Sequence, residues 1–347
     1  MKKYNVVGIG VPVTDIFLVN PDVAHFTLEA GDLRKSYIGL ETGSKSPSRI
    51  QNFTGGSSAN SLAALAKLGG LNLGYVCVVG TDQYSNILID DLQARGIDVS
   101  GVVRKHGYLP GVSMIMTAPG GSRDRAISVD HGTGEHLTKR DLNWARDIIA
   151  GAEWVDVTSL PATSIPHVRE FLNELRSGPD PIKIFLAPSS SMLHRNLELV
   201  RQWVTEVDAL AMNDEELELL AGTLKLENAF AWLSDNHCPP AYVTRGSQGI
   251  MYIAGETVTT IPAVPLPREA IVNTTGAGDT AAAMFLLGLL EKLEPVQTLQ
   301  RAAIAGAIKI CSPDLGAKNG LPTRDQLTTE LKKYETELEP RIFQWRK

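Results

Sequence analysis

The chain alternates short apolar runs with amphipathic stretches, and the two patterns separate cleanly. Val6 to Gly10, Leu73 to Gly80, Trp154 to Thr158, Ile182 to Leu186, Ala209 to Met212 and Ala241 to Thr244 read as buried strands. Ser57 to Leu68, Ser85 to Ala94, Thr138 to Ile149, Pro166 to Leu175 and Asp214 to Ala221 read as helices. Strands separated by helices of this length predict βαβ units and a mainly parallel central sheet flanked by helices, an α/β fold. Gly69-Gly70 and Gly96 mark the ends of the first two helices. Asp214, Glu215 and Glu216 crowd the first turn of another, where the helix dipole favours acids.

Two regions break this rhythm. From Asp15 to Thr54 the chain offers Phe17-Leu18-Val19, Tyr37-Ile38-Gly39-Leu40 and Arg49-Ile50-Gln51-Asn52-Phe53 as strand-like pieces with little helical pattern. Val112 to Thr117 and Ala126 to Asp130 form a second such patch around the turn Pro119-Gly120-Gly121-Ser122. Strands without intervening helices predict a small β-sheet from residues 15–54 and 111–131, inserted in the α/β core. Such a sheet over a ligand site is a lid that excludes water; two extended surface excursions are the alternative. No repeat, low-complexity segment or long linker divides the chain, so residues 1–347 read as a single domain. The stretch Ile261 to Pro267, with three prolines, reads as a stiff approach to the segment that follows, not as a boundary.

Composition narrows the function classes. The 347 residues are 43% apolar and 21% charged, with a net charge of −6 and acids and bases interspersed. That leaves no electrostatic footprint for nucleic acid or anionic lipid. No segment of about 20 apolar residues suggests a membrane span. The opening Met1-Lys2-Lys3 runs straight into the first strand, so no signal peptide is expected. Cys77, Cys238 and Cys311 are few and odd in number, which favours the reduced cytoplasm over a disulfide framework.

The chemistry concentrates in Asn273-Thr274-Thr275-Gly276-Ala277-Gly278-Asp279, followed by the apolar run from Thr280 to Phe285. Two glycines around an alanine let backbone N–H groups converge at the start of a buried helix, an anion site. A carboxylate there would repel the anion those amides attract, unless the anion is a phosphoryl group in transfer and Asp279 takes the proton of the attacking hydroxyl. A glycine-rich turn with an ordinary first-turn Asp is the bland alternative. A second constellation, Thr54-Gly55-Gly56-Ser57-Ser58-Ala59-Asn60, puts a glycine pair at a strand-to-helix junction. Asn60 lies one turn in, where its amide can donate to and accept from a hydroxyl; by itself the pair is equally an ordinary turn. Asp15 lies just beyond the first strand, at the edge where open α/β sheets bind ligands. Other sites lack support. Gly8-x-Gly10-x-x-Val13 misses the third glycine of a dinucleotide fingerprint, and there is neither a Gly-x-x-x-x-Gly-Lys-Ser/Thr loop nor a Gly-x-Ser-x-Gly elbow. His131 and His136 match no helical ligand pair for zinc.

The segment 273–279 resembles the signature of the ribokinase-like (PfkB) carbohydrate and nucleoside kinases, and the likeness runs from Val6 to about Pro322 with the motifs in the family's order. The resemblance implies ATP-dependent phosphorylation of a hydroxymethyl group on a small-molecule sugar or nucleoside. Asp279 would be the base, and Gly276, Ala277 and Gly278 the anion hole. It implies Asp15, Gly55, Gly56 and Asn60 as acceptor residues, and Thr244, Gly246, Gly249 and Thr275 at the nucleotide. The loop Thr244 to Gly249 could equally be a plain hairpin loop. Asn213 and Glu216 would organise the water shell of Mg²⁺; a helix cap and a first-turn acid are the alternative reading of the pair. Many relatives begin the signature with Asp, which helps hold a monovalent cation; Asn273 here lacks that charge, so a cation site completed by Gly316 to Gly320 is expected to be weakened. Arg125 lies near where adenosine-kinase-like members carry an arginine approaching phosphate, although an exposed strand Arg is the simpler reading. Gly55 to Asn60 and Arg125 to Leu142 lean slightly towards that branch. A homodimer through the lid is compatible with the resemblance. Two rivals remain, a non-catalytic ligand-binding or regulatory member of the fold and a dinucleotide-dependent oxidoreductase.

Overall fold

The computed structural model describes residues 2–20, 22, 24–30, 33–42, 48–117 and 125–346. The chain begins with β1 (Tyr4–Ile9), β2 (Val13–Val19), the pair β3 (Ala24–Ala30) and β4 (Leu33–Gly39), and β5 (Arg49–Gly55), then α1 (Ser57–Leu68), β6 (Leu73–Val79), α2 (Gln83–Ala94), β7 (Asp98–Arg104), β8 (Gly111–Thr117) and β9 (Arg125–Asp130). Next come α3 (Lys139–Trp144), α4 (Arg146–Ala150), β10 (Ala152–Thr158), α5 (Ile165–Arg176), β11 (Lys183–Ala187), α6 (Ser190–Trp203), β12 (Ala209–Asn213), α7 (Asp214–Ala221) and α8 (Leu226–Asp235). The last part holds β13 (Ala241–Thr244), β14 (Ile250–Ala254), β15 (Thr257–Ile261), α9 (Ala277–Glu291), α10 (Pro295–Cys311), α11 (Arg324–Lys333) and β16 (Arg341–Gln344).

The central sheet has the order β16-β15-β14-β13-β12-β11-β10-β1-β6-β7. From β7 to β13 its pairs are parallel, and β13 to β16 add an antiparallel edge. Alternate residues of the parallel strands feed two cores. Val7, Val155, Ile184 and Leu210 face one side with α5, α6 and α7, while Val6, Tyr75, Phe185 and Ala211 face the other with α1, α9 and α10. Burial on both faces is why these strands read as unbroken apolar runs.

The expected small sheet is present, in the order β5-β2-β8-β9. Its register stacks four rows on one face, buried along most of β2 and β8 and exposed towards the β9 edge. Gly55, Val13 and Gly111 form the first; Phe53, Asp15, Ser113 and Val129 the second; Gln51, Phe17, Ile115 and Ile127 the third; Arg49, Val19, Thr117 and Arg125 the outermost. The strand-like piece Tyr37 to Leu40 does not join it: β4 pairs with β3 in a separate hairpin. The expected turn at 119–122 lies outside the described residues. The single helix expected over 138–149 is two, because Ala145 leaves the helical region (φ −91°, ψ 11°). Thr138 and Asp141 form a capping box at the start of α3.

Candidate active site

Several parallel strands end on one cavity of about 190 Å³, to which Thr158, Ala187, Met212, Asn213 and Thr244 contribute. Gly278 and Asp279 close its far wall from the start of α9. Gly276 caps that helix with φ 80°, and a Cβ there would lie 2.9 Å from Ala317, so both conformation and space demand glycine. The turn draws the Ala277 N–H onto the Thr274 carbonyl at 3.3 Å. Of the expected anion-hole segment 276–278, the Ala277 amide is therefore engaged, while among the described residues the N–H groups of Gly278 and of the adjoining Asp279 have no bonded partner and are open to an anion.

Asp279 is held from α1. Asn60 Nδ2 donates to its Oδ2 at 2.7 Å, and Ser61 Oγ donates to its backbone carbonyl at 3.2 Å. Burial pushes the Asp279 carboxyl up, and bonds from Asn60 and Ser57 with the charges of Arg125 and Lys309 oppose the rise. Asn60 Oδ1 has no partner, so the amide that fixes the carboxylate keeps an acceptor for a second group. Ser57 and Ser61 are site residues the sequence reading missed; their spacing around Asn60 on one helix was the available signal.

The glycine pair joins this helix to the small sheet. A Cβ on Gly55 would overlap the Asp15 carboxylate, and Gly56 takes φ 106° with its Cα against the Val11 carbonyl. Asp15 is buried, which lifts its carboxyl to about 6; Ser113 and Lys318 pull it down, and Asp279 raises it further. The structure thus brings Asp15, Gly55, Gly56, Asn60 and Asp279 into one neighbourhood. Arg125 differs from the simpler expectation of an exposed strand arginine. It is half-buried, its guanidinium donates to Thr274 Oγ1, and its Nε is buried without a partner.

On the other side of the cavity, Asn213 and Glu216 form a capping box on α7: Asn213 Oδ1 accepts from Glu216 N at 2.8 Å, and Glu216 Oε2 accepts from Asn213 N at 3.0 Å. Ser190 N donates to the other Glu216 oxygen at 3.0 Å. Burial raises the Glu216 carboxyl despite these bonds. The cap reading is therefore right as structure, and both side chains also line the cavity. Of the expected nucleotide residues, Thr244 lines this cavity. Gly246 and Gly249 lie beyond it, in the hairpin loop between antiparallel β13 and β14. Thr275, whose Oγ1 has no partner, faces instead a pocket of about 350 Å³ between the small sheet and segment 269–275. Asn273 ties the signature loop to its neighbour: Nδ2 donates to the Leu315 carbonyl at 2.7 Å, and Oδ1 accepts from Thr275 N at 3.0 Å.

A model of the pfkB family carbohydrate kinases matches residues 31–324. The ribokinase of Bacillus subtilis is 29% identical over 282 residues, covering 80% of this chain and 87% of that protein. The aminoimidazole riboside kinase of Salmonella typhimurium is 27% identical over 290 residues, covering 80% and 87%. Among solved structures, a putative ribokinase II of E. coli in complex with ATP and Mg²⁺ superposes with a TM-score of 0.76 at 17% identity, over 95% of this chain and 99% of that one.

Proposed function

The chain belongs to the pfkB family of carbohydrate kinases, and from that premise we propose that it passes the terminal phosphoryl group of ATP in line to a hydroxymethyl group of a sugar or nucleoside, with Asp279 as base. The observation that carries this reading is the position of Asp279. It stands where the donor cavity meets the Asp15–Gly55–Asn60 neighbourhood, beside the free amides of Gly278 and Asp279. An acceptor hydroxyl held by Asp15 and Asn60 lies within reach of that carboxylate, and the amides stabilise charge that develops on the transferring group. Arg125 and Lys309 favour the ionised base by their charge.

The donor phosphates lie along the cavity past Thr244, with the Gly246 to Gly249 loop at its outer end. Magnesium fits Asn213 and Glu216 through water. Both Glu216 oxygens already accept N–H bonds, and among the described residues no three His, Cys, Asp or Glu side chains converge as direct ligands. When bound, the ion screens phosphate charge. The outer face of the small sheet exposes Ile50 and Met114, which supports a homodimer through the lid; sedimentation at micromolar concentration as a monomer would remove that part.

The test is a panel of sugars and nucleosides incubated with ATP and Mg²⁺, with the products followed by phosphorus NMR. The expected product is a phosphate monoester on a primary carbon. ATP hydrolysis to free phosphate, with no ester from any acceptor, would overturn the reading.

A further inference from the structure

The loop from Gly316 to Lys318 is packed between the two parts of the site. A Cβ on Gly276, at the turn into α9, would lie 2.9 Å from Ala317, and a Cβ on Gly316 would lie 2.7 Å from the ring of Phe53 on β5. Phe53 stands opposite Asp15 in the small-sheet register, and the Asp15 carboxylate lies over the Cα of Gly55, two residues further along β5. Thr54, between them, ties this strand to α2: its hydroxyl donates to Asp91 Oδ2 at 2.7 Å. The same oxygen accepts from Lys318 Nζ at 3.1 Å, while Arg95 donates to Asp91 Oδ1 at 3.1 Å and to the Lys318 carbonyl at 3.3 Å. The Lys318 side chain is only 3% exposed, against 22% for Asp91, so the cation is the deeper member of the pair. The charged groups that face it are Asp91 and Arg95 on α2 and Asp15 on β2. Burial and the charge of Asp279 favour the protonated form of Asp15, whereas Ser113 and the charge of Lys318 favour the carboxylate.

We propose that Lys318 is a positioning residue of the acceptor site: anchored on Asp91, its ammonium holds Asp15 as a carboxylate over Gly55 and fixes the end of β5 against the loop that supports the anion turn. The inference rests on the kinase reading above and deepens it. An ionised Asp15 accepts from hydroxyl groups through both oxygens, whereas the protonated form spends one oxygen as a donor. An acceptor that offers hydroxyl hydrogens therefore binds best while the cation is in place.

The test is a carbon-13 NMR titration of the aspartate carboxyl carbons, with the Asp15 signal assigned by its absence from Asp15→Asn. In Lys318→Met the Asp15 midpoint is expected to rise by roughly one pH unit, the effect of one lost opposite charge. Lys318→Gln keeps a donor for Asp91 without the charge and should give the same rise. Asp91 retains its bonds from Thr54 and Arg95 in both variants, so both are expected to fold, and their Tm checks this. With an acceptor identified from the panel, Lys318→Met should raise the acceptor KM roughly fivefold at pH 6 and converge with wild type by pH 8, because Asp15 is then ionised in both. The KM for ATP should stay within about twofold throughout. A midpoint that does not move in either variant overturns the proposal, as does an acceptor KM raised equally at pH 6 and pH 8, the mark of a packing role. The titration needs no turnover, so absence of any phosphate ester from wild type would count against the kinase reading and leave the measurement on Asp15 standing.

Discussion

Beneath the proposed base lies a second carboxyl group, Asp156, with no exposed surface. Ser58 Oγ donates to its Oδ2 at 3.1 Å, while Oδ1 and the nearby Tyr75 hydroxyl have no partner. Burial lifts Asp156 to about 8; Ser58 pulls it down, and Asp279 raises it further. A carboxyl whose pKa is raised on folding binds its proton more tightly in the native state. Its contribution to stability is therefore fully present below the unfolded pKa, near 4, and is lost as pH rises towards 8. Asp156→Asn keeps the shape and removes the titration. We expect wild-type Tm to fall more steeply than that of the variant between pH 5 and 8.5, with the variant the more stable by several degrees at the alkaline end. Asp15, lifted to about 6, adds a shallower slope of the same sign that the variant retains. Parallel melting curves would show that Asp156 does not carry the effect.

At the scale of elements, the junction of β5 with α1 and the start of α7 are the two places where local structure and chemistry coincide. A methyl group on Gly55 must displace the Asp15 carboxylate, which packs against its Cα. Gly55→Ala should therefore raise acceptor KM and lower kcat together, with ATP affinity within about twofold of wild type; a loss confined to ATP binding would contradict this placement of Asp15. At α7, Glu216 serves as both cap and cavity wall. Glu216→Gln should cost roughly 1 kcal/mol of stability and also raise the Mg²⁺ concentration for half-maximal rate severalfold. An unchanged magnesium titration with a lowered Tm would leave only the cap.

The same elements show what the residues alone disclosed. Helix α1 has the bounds expected, Ser57–Leu68, because glycines with positive φ stand at both ends. The anion loop and the pieces of the small sheet were likewise legible from glycine placement and from strands without helices. The split between α3 and α4, the separate β3–β4 hairpin and the inward turn of Arg125 were not. Each is decided by tertiary contact, as with Arg125, whose β9 partner strand carries it to Thr274. Asp156 carries no sequence signal either, since a single acid in a strand does not reveal that it will be buried.

The whole molecule divides the work between two sheets. The strands of the large sheet end on the cavity proposed for the donor, and the small sheet meets this region at Gly55-Gly56 and at the Arg125–Thr274 contact, where it would cover the proposed acceptor. Closure of the small sheet would shield the phosphoryl group from water. Acceptor binding should then slow amide exchange in β2, β5, β8 and β9 together, whereas ATP alone should protect mainly the loops around Thr244 and Gly278; protection of one small-sheet strand without the others would argue against a closing unit. The most direct measurement compares acceptor-dependent ADP release by wild type and Asp279→Asn, with ATP affinity titrated for both. The account predicts turnover that requires the acceptor and falls by about 10² to 10⁴ in the variant, while ATP affinity stays within about twofold. A folded Asp279→Asn protein with unchanged kcat would contradict it.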